Sequence, residues 1–556
     1  MPDNHDISAL LSSYAKLYEL HDGNPFKVKS LASAAYNIKK IGEPLEDMSE
    51  EQLMKVPQIG KSLAPKVYEI IQTGSFKELD ELLELTPAGV QDLLRVKGLG
   101  PKKVEMLWKT VGIASIPELQ DACRENRLVE IKGFGYKTQA QILSDLEFKF
   151  SNTGKFHWAK MQAVVAYIDS VFEQLPAVEH YQVAGDYRRL NDIVHSIDYV
   201  LVCSDLQTIS DTLCESDNFE LLDCEDGLYT LAYLEVVNIK LYQSTHERFA
   251  NDLFEHTATD GHLNLIGYQK GGPDSDDETA IYKSLNLPYI LPELREGLQE
   301  LQRLDLQDKL ITYKDLKGVL HNHTTYSDGL HSLEEMAAQA RMLGLEYIGI
   351  CDHSQTAGYA GGLKPEKVLQ QMQAIDALNE KMAPFKILKG IESDILSDGS
   401  LDYSEDMLRM FDLVVASVHS NLGMDQEKAH TRLIKAIENP YTNILGHPTG
   451  RLLLMRPGYP IDHAYIIDAC VANGVVIELN AHPYRLDIDW RWIDYAVQKG
   501  GLISINPDAH QKEGLEDMRY GVNVARKGYL TPENCLNAMN LEQIIQHLEN
   551  KRKARA

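Results

Sequence analysis

The sequence of 556 residues has no paired cysteines, no long apolar runs and little positive charge. Its seven cysteines form no Cys-x-x-Cys pair, which argues against a disulfide framework and favours reduced thiols in the cytoplasm. No run of about 18 apolar residues occurs, so we expect no membrane span. The first residues lack the basic and apolar regions of a signal peptide, which also predicts a cytoplasmic protein.

The deficit of positive charge is uneven along the chain. The net charge is −27, from 55 Lys+Arg and 82 Asp+Glu. Residues 1–150 contain 19 Lys+Arg and 22 Asp+Glu, so they carry −3 and the rest carries −24. A polyanion such as nucleic acid would therefore be repelled least by the first 150 residues.

Seven short apolar runs lie between residues 318 and 510, and segments of helical spacing separate them. This alternation predicts parallel βα units, in which the carboxyl ends of the strands meet on one face. Six runs end on residue types that bind metals, and the run at 475–480 ends on an amide. The candidate ligands are His321, His323, Asp328, His353, Glu392, His419, His447, Asp508 and His510.

Nine ligands exceed what one ion needs, since zinc takes about four. We therefore predict two or three divalent ions that share a bridging carboxylate, for which Glu392 is the candidate. Imidazole and carboxylate without thiolate suit zinc, manganese or iron. The alternative is a set of unrelated histidines at strand ends. Chance alone would rarely place metal-binding residue types at the ends of six of the seven runs.

The motifs of this segment resemble the PHP (polymerase and histidinol phosphatase) family. They are His321-x-His323, Asp352-His353, Gly390-Ile391-Glu392, His447-Pro448-Thr449-Gly450 and Asp508-Ala509-His510. The resemblance implies a distorted (βα)7 barrel over residues 318–556, with a trinuclear metal site that cleaves phosphoesters.

A phosphate substrate also needs positive donors, for which Arg451 and Arg485 are candidates. The alternative for both arginines is an ion pair away from the substrate. Asp352, beside His353, is predicted either to orient that imidazole or to cap the end of its strand.

Three copies of an apolar-x-Gly-apolar-Gly hairpin before a helix occur in the first 150 residues, and Gln58 replaces the first glycine of the first copy. Glycine permits tight turns, helix N-termini bind phosphate, and nearby lysines add charge without reading bases. The pattern resembles helix-hairpin-helix DNA-binding motifs; a purely structural helical repeat is the alternative. The candidate DNA-binding residues are Gly60, Lys61, Gly98, Gly100, Lys102, Lys103, Gly133, Gly135 and Lys137.

Residues 24–90 also resemble the small lyase domain of family X DNA polymerases. The resemblance places Lys66 where that family has a lysine that forms a Schiff base with an abasic sugar. Such a nucleophile needs a lowered pKa. The alternative is an ordinary helix lysine that contacts phosphate.

Residues 151–300 resemble the palm and thumb of the same polymerases, in Gly185-Asp186-Tyr187-Arg188-Arg189 and in the strand at 197–202. Nucleotidyl transfer needs three carboxylates that hold two magnesium ions. At the three matching positions this chain has Ser196, Asp198 and Asn238. We therefore predict a palm-like scaffold without polymerase activity and without bound magnesium; metal binding through altered ligands is the alternative.

The predicted organisation is multidomain, and the resemblance is to bacterial family X DNA polymerases with a C-terminal PHP domain. An all-α helix-hairpin-helix region contains a lyase-like domain (1–90) and a fingers-like region (91–150). An α+β nucleotidyltransferase-like palm (151–300) and a helical linker (301–317) precede the PHP barrel (318–556).

This organisation predicts a metal-dependent DNA phosphodiesterase in DNA repair, a 3′-5′ exonuclease or 3′-end processing enzyme that acts on gapped, 3′-ended or abasic DNA. Abasic-site endonuclease activity is a further prediction from the resemblance. Three alternatives stay open: an active family X repair polymerase, a PHP phosphatase of small molecules, and a non-enzymatic DNA-binding scaffold with structural metals.

Overall fold

The computed structural model describes residues 2–553, apart from Lys40, Gly42, Gln58, Lys97, Glu130, Lys132, Asp217, Asp226 and Glu235. The hairpin position predicted at Gln58 therefore lies outside the described residues. The chain divides into two compact units, Met1–Thr153 and Gly154–Ala556. Among the described helices, none is both long enough and apolar enough to cross a membrane.

The first unit is helical, and a single apolar core runs from Ile7 to Leu146. Local sequence sets its helix starts: Asp3 and Asp6 form a capping box, and Asn24 caps a helix that opens with Pro25. Helix α1 packs against both α2 and α7, so the boundary predicted at residue 90 does not separate two cores. The helices are α1 Asn4–Leu20, α2 Pro25–Ile38, α3 Glu50–Leu53, α4 Gly60–Thr73, α5 Lys77–Leu85, α6 Ala88–Leu93, α7 Pro101–Glu105, α8 Ile116–Arg124 and α9 Tyr136–Ser151, with a π-helical segment at Met106–Val111.

The second unit begins with a mixed five-stranded sheet of order β2-β4-β7-β6-β5, in which β4 and β7 are parallel. A separate pair joins β1 and β3. The strands are β1 Phe156–His157, β2 Val178–Val183, β3 Ile193–Val194, β4 Ser196–Cys203, β5 Phe219–Glu225, β6 Leu228–Tyr233 and β7 Val237–Ser244. The helices are α10 Trp158–Phe172, α11 Gly185–Arg188, α12 Leu206–Cys214, α13 Phe249–Thr257, α14 Asp260–Ile266 and α15 Glu278–Ser284.

Seven parallel strands in sequential order form the rest of the unit, which confirms the predicted barrel. The strands are β8 Gly318–Val319, β9 Tyr347–Ile350, β10 Lys386–Asp394, β11 Leu413–Ser417, β12 Ile444–Leu445, β13 Val476–Asn480 and β14 Ile503–Asn506. The helices are α16 Leu333–Met342, α17 Pro365–Met382, α18 Glu405–Leu408, α19 Gln426–Ile437, α20 His463–Ala472, α21 Ile493–Gln498, α22 Met518–Lys527 and α23 Leu541–Lys553.

A parallel bridge between Asn322 and Ala509 nearly closes the barrel, because it joins the ends of the first and last strands. The His323 amide donates to the Ala509 carbonyl at 2.8 Å at this seam. The seam lies at the carboxyl ends of the strands, so it brings the first and last predicted ligands together.

The segment 301–317, which was predicted to be a helical linker, is not one continuous helix. The segment forms short 3₁₀ turns at Leu304–Lys309 and Tyr313–Asp315. Arg303 pairs with Asp494 of α21 at 3.0 Å, and the Ile311 amide donates to Leu530 at 2.9 Å. These contacts hold the segment against the barrel, so it is part of the packed unit.

The palm-like region is fixed to the barrel through α22. The side chain of Lys527 is fully buried, and its ammonium donates to the carbonyls of Arg189 and Glu293 and to the carboxylate of Glu296. The Tyr520 hydroxyl also donates to Gln162 of α10 at 2.9 Å. A buried ammonium is retained only where several acceptors surround it, and here the acceptors come from the palm-like region.

A buried ion triad in the palm-like region predicts a pH-dependent stability. Arg188 and Arg295 both hold the Glu278 carboxylate. Burial alone would raise the pKa of Glu278, but the two guanidinium groups lower it to about 2. Because the pKa of Glu278 is lower in the folded state, its ionised carboxylate stabilises the fold at pH values above the unfolded pKa of about 4.5. This stabilisation, up to about 3 kcal/mol, is lost as the pH falls from about 4.5 to about 2.

Urea unfolding at pH 7, 5, 4 and 3 measures this effect, as the difference in free energy of unfolding between wild type and Glu278→Gln. The difference is expected to shrink steadily below pH 4.5, since wild type loses the ionised carboxylate there. A difference that is constant with pH would contradict the role given to Glu278.

Candidate metal centre and nucleic-acid interface

Glu392 lies at the centre of the carboxyl end of the barrel, in β10, and imidazoles surround its carboxylate. Its side chain is 1% exposed. The nearest ring nitrogens are at 3.3 Å (His321), 3.6 Å (His323), 2.9 Å (His353), 3.1 Å (His419) and 3.1 Å (His447). One carboxylate in contact with five imidazoles has the position that a carboxylate shared between metal ions requires.

Two aspartates complete the set. Asp508 Oδ1 lies 3.0 Å from His323 Nε2 and 3.6 Å from His321 Nε2. Asp328 Oδ1 lies 3.6 Å from His353 Nε2 and 3.5 Å from His510 Nε2. The structure therefore brings all nine predicted ligands into one pocket.

The donor set fits divalent ions. Three groups of residues have ligand atoms within 4.8 Å of one another: His323, Asp328, His353 and His510; His321, His323 and Asp508; and His353, Glu392 and His419. Several buried atoms of the set have no hydrogen-bond partner: His321 Nε2, both ring nitrogens of His323, His353 Nδ1, Glu392 Oε2 and His447 Nδ1. Buried polar atoms are normally satisfied, and coordination would satisfy these.

The electrostatics of the pocket keep Glu392 and Asp508 ionised. Burial alone would raise the pKa of Glu392, but the imidazoles of His419 and His321 hold it well below its ordinary value. The same balance holds the pKa of Asp508 well below its ordinary value, through His321 and His323. Anionic ligands bind divalent cations far better than neutral carboxyl groups do.

The residues that orient the ligands were missed by the sequence analysis. Glu478 is fully buried in β13 and contacts His321 Nδ1 at 2.7 Å, and it accepts from the His447 amide at 2.7 Å. Asp394 contacts His419 Nδ1 at 2.5 Å. Such contacts fix which ring nitrogen faces the metal. An acid inside an apolar strand, as in Val476–Asn480, is the signal that could have identified Glu478.

We expect Glu478→Gln to weaken metal binding about tenfold, because the carboxylate that orients His321 is lost. Competition with a chromogenic chelator measures the dissociation constant. Glu438→Gln, at an exposed position after α19, is the matched control. Equal metal affinity of Glu478→Gln and wild type would contradict the role of Glu478.

Two predicted roles are corrected. Asp352 does not orient His353: it accepts from the Thr324 amide at 2.8 Å, the Thr324 hydroxyl at 2.7 Å and Gln371 at 2.5 Å, so it caps the turn after the first strand. Arg451 is not free for phosphate, because its side chain is 15% exposed and pairs with Asp489 at 2.7 Å. For Arg451 this is the ion pair weighed as the alternative from the sequence.

Arg485 does reach the metal centre. Its Nε lies 3.8 Å from Asp508 Oδ2, and its side chain is 21% exposed. The guanidinium therefore stands at the edge of the pocket, partly open to solvent. Arg485 therefore remains the candidate hydrogen-bond donor to a phosphate at this site.

The three palm positions also meet, but with one carboxylate among them. Asn238 on β7 stands opposite Ser196 on β4. The Ser196 hydroxyl donates to Asp198 at 2.7 Å, and Lys240 stands opposite Asp198. Burial raises the pKa of Asp198. This arrangement has less negative charge than a two-magnesium site uses.

The arginines of the palm motif are engaged in ion pairs. Arg188 binds Glu278 through two hydrogen bonds of 2.8 Å. Arg189 pairs with Asp186 and, at 3.1 Å, with Glu296. These guanidinium groups are therefore committed to neighbouring carboxylates.

The hairpins have the backbone that phosphate binding needs. Gly98 and Gly133 have φ angles of +83° and +96°, which glycine adopts without strain. A Cβ at Gly60, Gly98, Gly100, Gly133 or Gly135 would meet no atom within 4 Å. Lys61, Lys102 and Lys137 are exposed, and Lys103 donates to the Gly98 carbonyl at 3.1 Å. The open side of each hairpin is therefore accessible to a ligand.

Lys66 is largely buried, since its side chain is 14% exposed, and it pairs with Glu78. Burial and the charge of Lys27 lower the pKa of Lys66, whereas the charge of Glu69 opposes this shift. A Schiff-base role for Lys66 stays a prediction.

The chain matches three family models. A helix-hairpin-helix domain matches residues 2–76, and a SAM-like helix-hairpin-helix tandem matches residues 90–147. The PHP domain matches residues 320–482. The helix-hairpin-helix matches support DNA binding, and the PHP match confirms the predicted PHP domain.

Similar proteins cover either nearly the whole chain or about two-fifths of it. A probable phosphatase of Thermoanaerobacter sp. (strain X514) is 28% identical over 42% of this chain and 94% of its own length. The probable phosphatase YcdX of Escherichia coli is 25% identical over 42% of this chain and 94% of its own length. The DNA polymerase/3'-5' exonuclease PolX of Bacillus subtilis (strain 168) is 33% identical over 98% of this chain and 99% of its own length. The chain therefore belongs to the PolX family of DNA polymerase/3'-5' exonucleases.

Proposed function

We propose that this protein is a metal-dependent DNA phosphodiesterase that shortens 3′ ends in DNA repair and does not polymerise DNA. The observation that carries the proposal is the convergence of nine candidate ligands in one pocket of the barrel. Five of them, His321, His323, His353, Glu392 and His447, have buried atoms without a hydrogen-bond partner. The helix-hairpin-helix domains on the same chain support DNA as the substrate.

The residues divide the chemistry between them. Bound divalent ions would supply a nucleophile near neutral pH and charge opposite the phosphate oxygens. His321, His323, Asp328, His353, Glu392, His419, His447, Asp508 and His510 would hold these ions, with Glu392 shared between them. Glu478 and Asp394 orient the imidazoles, and Arg485 binds a phosphate oxygen of the strand.

The geometry of the palm-like region favours a chain without polymerase activity. Asp198 is the carboxylate that remains at the three positions, Ser196 and Asn238 occupy the other two, and Lys240 stands opposite Asp198. Arg188 and Arg189 are held by Glu278, Glu296 and Asp186, so they are not free for a triphosphate. A second activity, cleavage at abasic sites, draws support from the partly buried Lys66 in its lowered-pKa environment.

Nuclease assays on 5′-labelled DNA with Mn²⁺ test the proposed activity on single-stranded, gapped and abasic substrates. Stepwise 3′ shortening by wild type, lost in His321→Ala/His323→Ala, is expected. Hydrolysis of small phosphate esters with intact DNA in every lane would favour the phosphatase alternative. DNA binding without hydrolysis of any ester would favour the scaffold.

Primer extension tests the palm separately. No extension of a gapped primer by wild type is expected with Mg²⁺ or Mn²⁺ and all four deoxynucleotides, because two of the three metal-binding carboxylates are replaced. His321→Ala/His323→Ala is used beside wild type, so that degradation does not mask synthesis. Extension by either protein would overturn this part of the proposal.

A further inference from the structure

An aromatic side chain stands at the mouth of the metal centre and is open to solvent. Tyr359 lies on the turn Gly358–Ala360 and is 63% exposed. Its ring centroid lies 6.2 Å from that of His353, one of the metal ligands. A large exposed aromatic beside a reactive centre offers a flat surface to a planar ligand.

On another side of the mouth, a short row of side chains leads away from the ligands. Arg485 lies 3.8 Å from Asp508, and the preceding residue is Tyr484. The Tyr484 ring packs against His482 at 5.3 Å between centroids and against His157 at 4.5 Å. The row is fixed, because the Leu453 amide donates to the Tyr484 carbonyl and the His157 ring contacts the Leu453 carbonyl at 3.0 Å.

The palm-like region contributes a cation to the end of this row. Lys160 of α10 is exposed, and its ammonium lies 5.2 Å from the centroid of the Tyr484 ring. Helix α10 is held on the barrel by the hydrogen bond between Gln162 and Tyr520. Lys160 therefore lies against the ring of Tyr484, the residue that precedes Arg485.

We propose that this mouth is a binding site for an unpaired 3′-terminal stretch of DNA. Tyr359 stacks on the terminal base, Arg485 binds the phosphate that is cleaved, and Lys160 of the palm-like region binds the next phosphate. Aromatic stacking with backbone cations is how proteins bind single strands without reading sequence. The inference rests on the proposed nuclease function, and it gives the palm-like region a role as a wall of the substrate site.

A small phosphate monoester would fit this mouth less well. Such a substrate occupies the metal centre and Arg485, and it has no second phosphate for Lys160. A base-paired end would also leave Tyr359 without an accessible base face, because the terminal bases stack within the duplex. The combination of Tyr359 and Lys160 thus selects an unpaired strand.

The test of stacking combines a protein change with a substrate change. Removal of the first nucleotide is measured with Mn²⁺ on a 5′-labelled single-stranded 12-mer and on the same strand with a base-less tetrahydrofuran unit at its 3′ end. For wild type, kcat/KM is expected to be about tenfold lower without the terminal base. Tyr359→Ala is expected to be about tenfold slower on the normal strand and to treat both strands alike, whereas Tyr359→Phe behaves as wild type.

The role of Lys160 is tested through length and salt dependence. Lys160→Ala is expected to raise KM several-fold for the 12-mer, leave a dinucleotide unchanged and reduce the salt slope of binding by about 1. Lys381→Ala, at an exposed position in α17 on the opposite end of the barrel, is the matched control. Anisotropy of a fluorescent pentanucleotide in EDTA, where no cleavage occurs, is expected to show the same order of affinities.

The possible failures can be told apart. If wild type cleaves DNA but the effects of Tyr359→Ala and of the missing base simply multiply, the stacking site is overturned and the nuclease function stands. Equal effects of Lys160→Ala and Lys381→Ala overturn the palm contribution. No cleavage of any DNA by wild type, together with hydrolysis of p-nitrophenyl phosphate, overturns the proposed function and this site with it.

Discussion

Glu392→Gln is expected to lower kcat/KM for DNA hydrolysis by about 10³-fold or more, which corresponds to about 4 kcal/mol. Glutamine has nearly the same shape, but it lacks the charge that the buried Glu392 side chain presents to five imidazoles. The number of tightly bound ions per chain is expected to fall in parallel. Steady-state kinetics with Mn²⁺ and elemental analysis of the purified protein measure the two effects.

The matched control is Glu380→Gln, an exposed glutamate of α17 outside the pocket. It is expected to keep wild-type kinetics and metal content. Glu392→Gln with more than about a tenth of wild-type activity and full metal content would contradict the central position given to Glu392.

Arg295→Ala is expected to destabilise the protein by about 3–5 kcal/mol, because it leaves the buried Glu278 carboxylate with Arg188 as its single cationic partner. The Arg295 side chain is fully buried and binds Glu278 at 2.6 and 3.1 Å. Its guanidinium also lies within 5.5 Å of the ring centroids of Phe254, Tyr282 and Tyr289. The substitution therefore removes packing as well as charge.

Urea unfolding followed by tyrosine and tryptophan fluorescence measures the loss. Arg341→Ala, at an exposed position in α16, is the control and is expected to change stability by less than about 0.5 kcal/mol. A change below about 1 kcal/mol for Arg295→Ala would show that the triad does not hold this part of the chain.

Much of the barrel and of its ligand set could be predicted from the sequence. Parallel strands place the residues after them on one face, so His321, His447 and His510 could be assigned to one pocket without a structure. Glu392 was identified for the same reason, since its strand runs through Gly390 into the pocket. The three hairpins could be identified because their glycines and lysines recur in a fixed pattern.

The residues that depend on contacts between distant segments could not be predicted. Glu478 orients His321 across 157 positions of sequence, and no local pattern links the two residues. Whether Arg451 binds phosphate or forms an ion pair is decided by two distant carboxylates, Asp489 and Asp192 of the palm-like region. Tyr359 lies in no recognised sequence motif. Its exposed position beside His353 in the structure is what identifies it as a candidate stacking residue.

The most direct test of a metal-dependent nuclease is a titration of metal-free protein with Mn²⁺, in which the rate of 3′ shortening of a 5′-labelled single strand is measured against the number of bound ions. Metal-dependent catalysis by the barrel predicts no shortening without metal, activity that rises only once two or more ions are bound per chain, and no activity at any Mn²⁺ concentration for His321→Ala/His323→Ala. Shortening by the metal-free protein, or by the double variant at the wild-type rate, would contradict it.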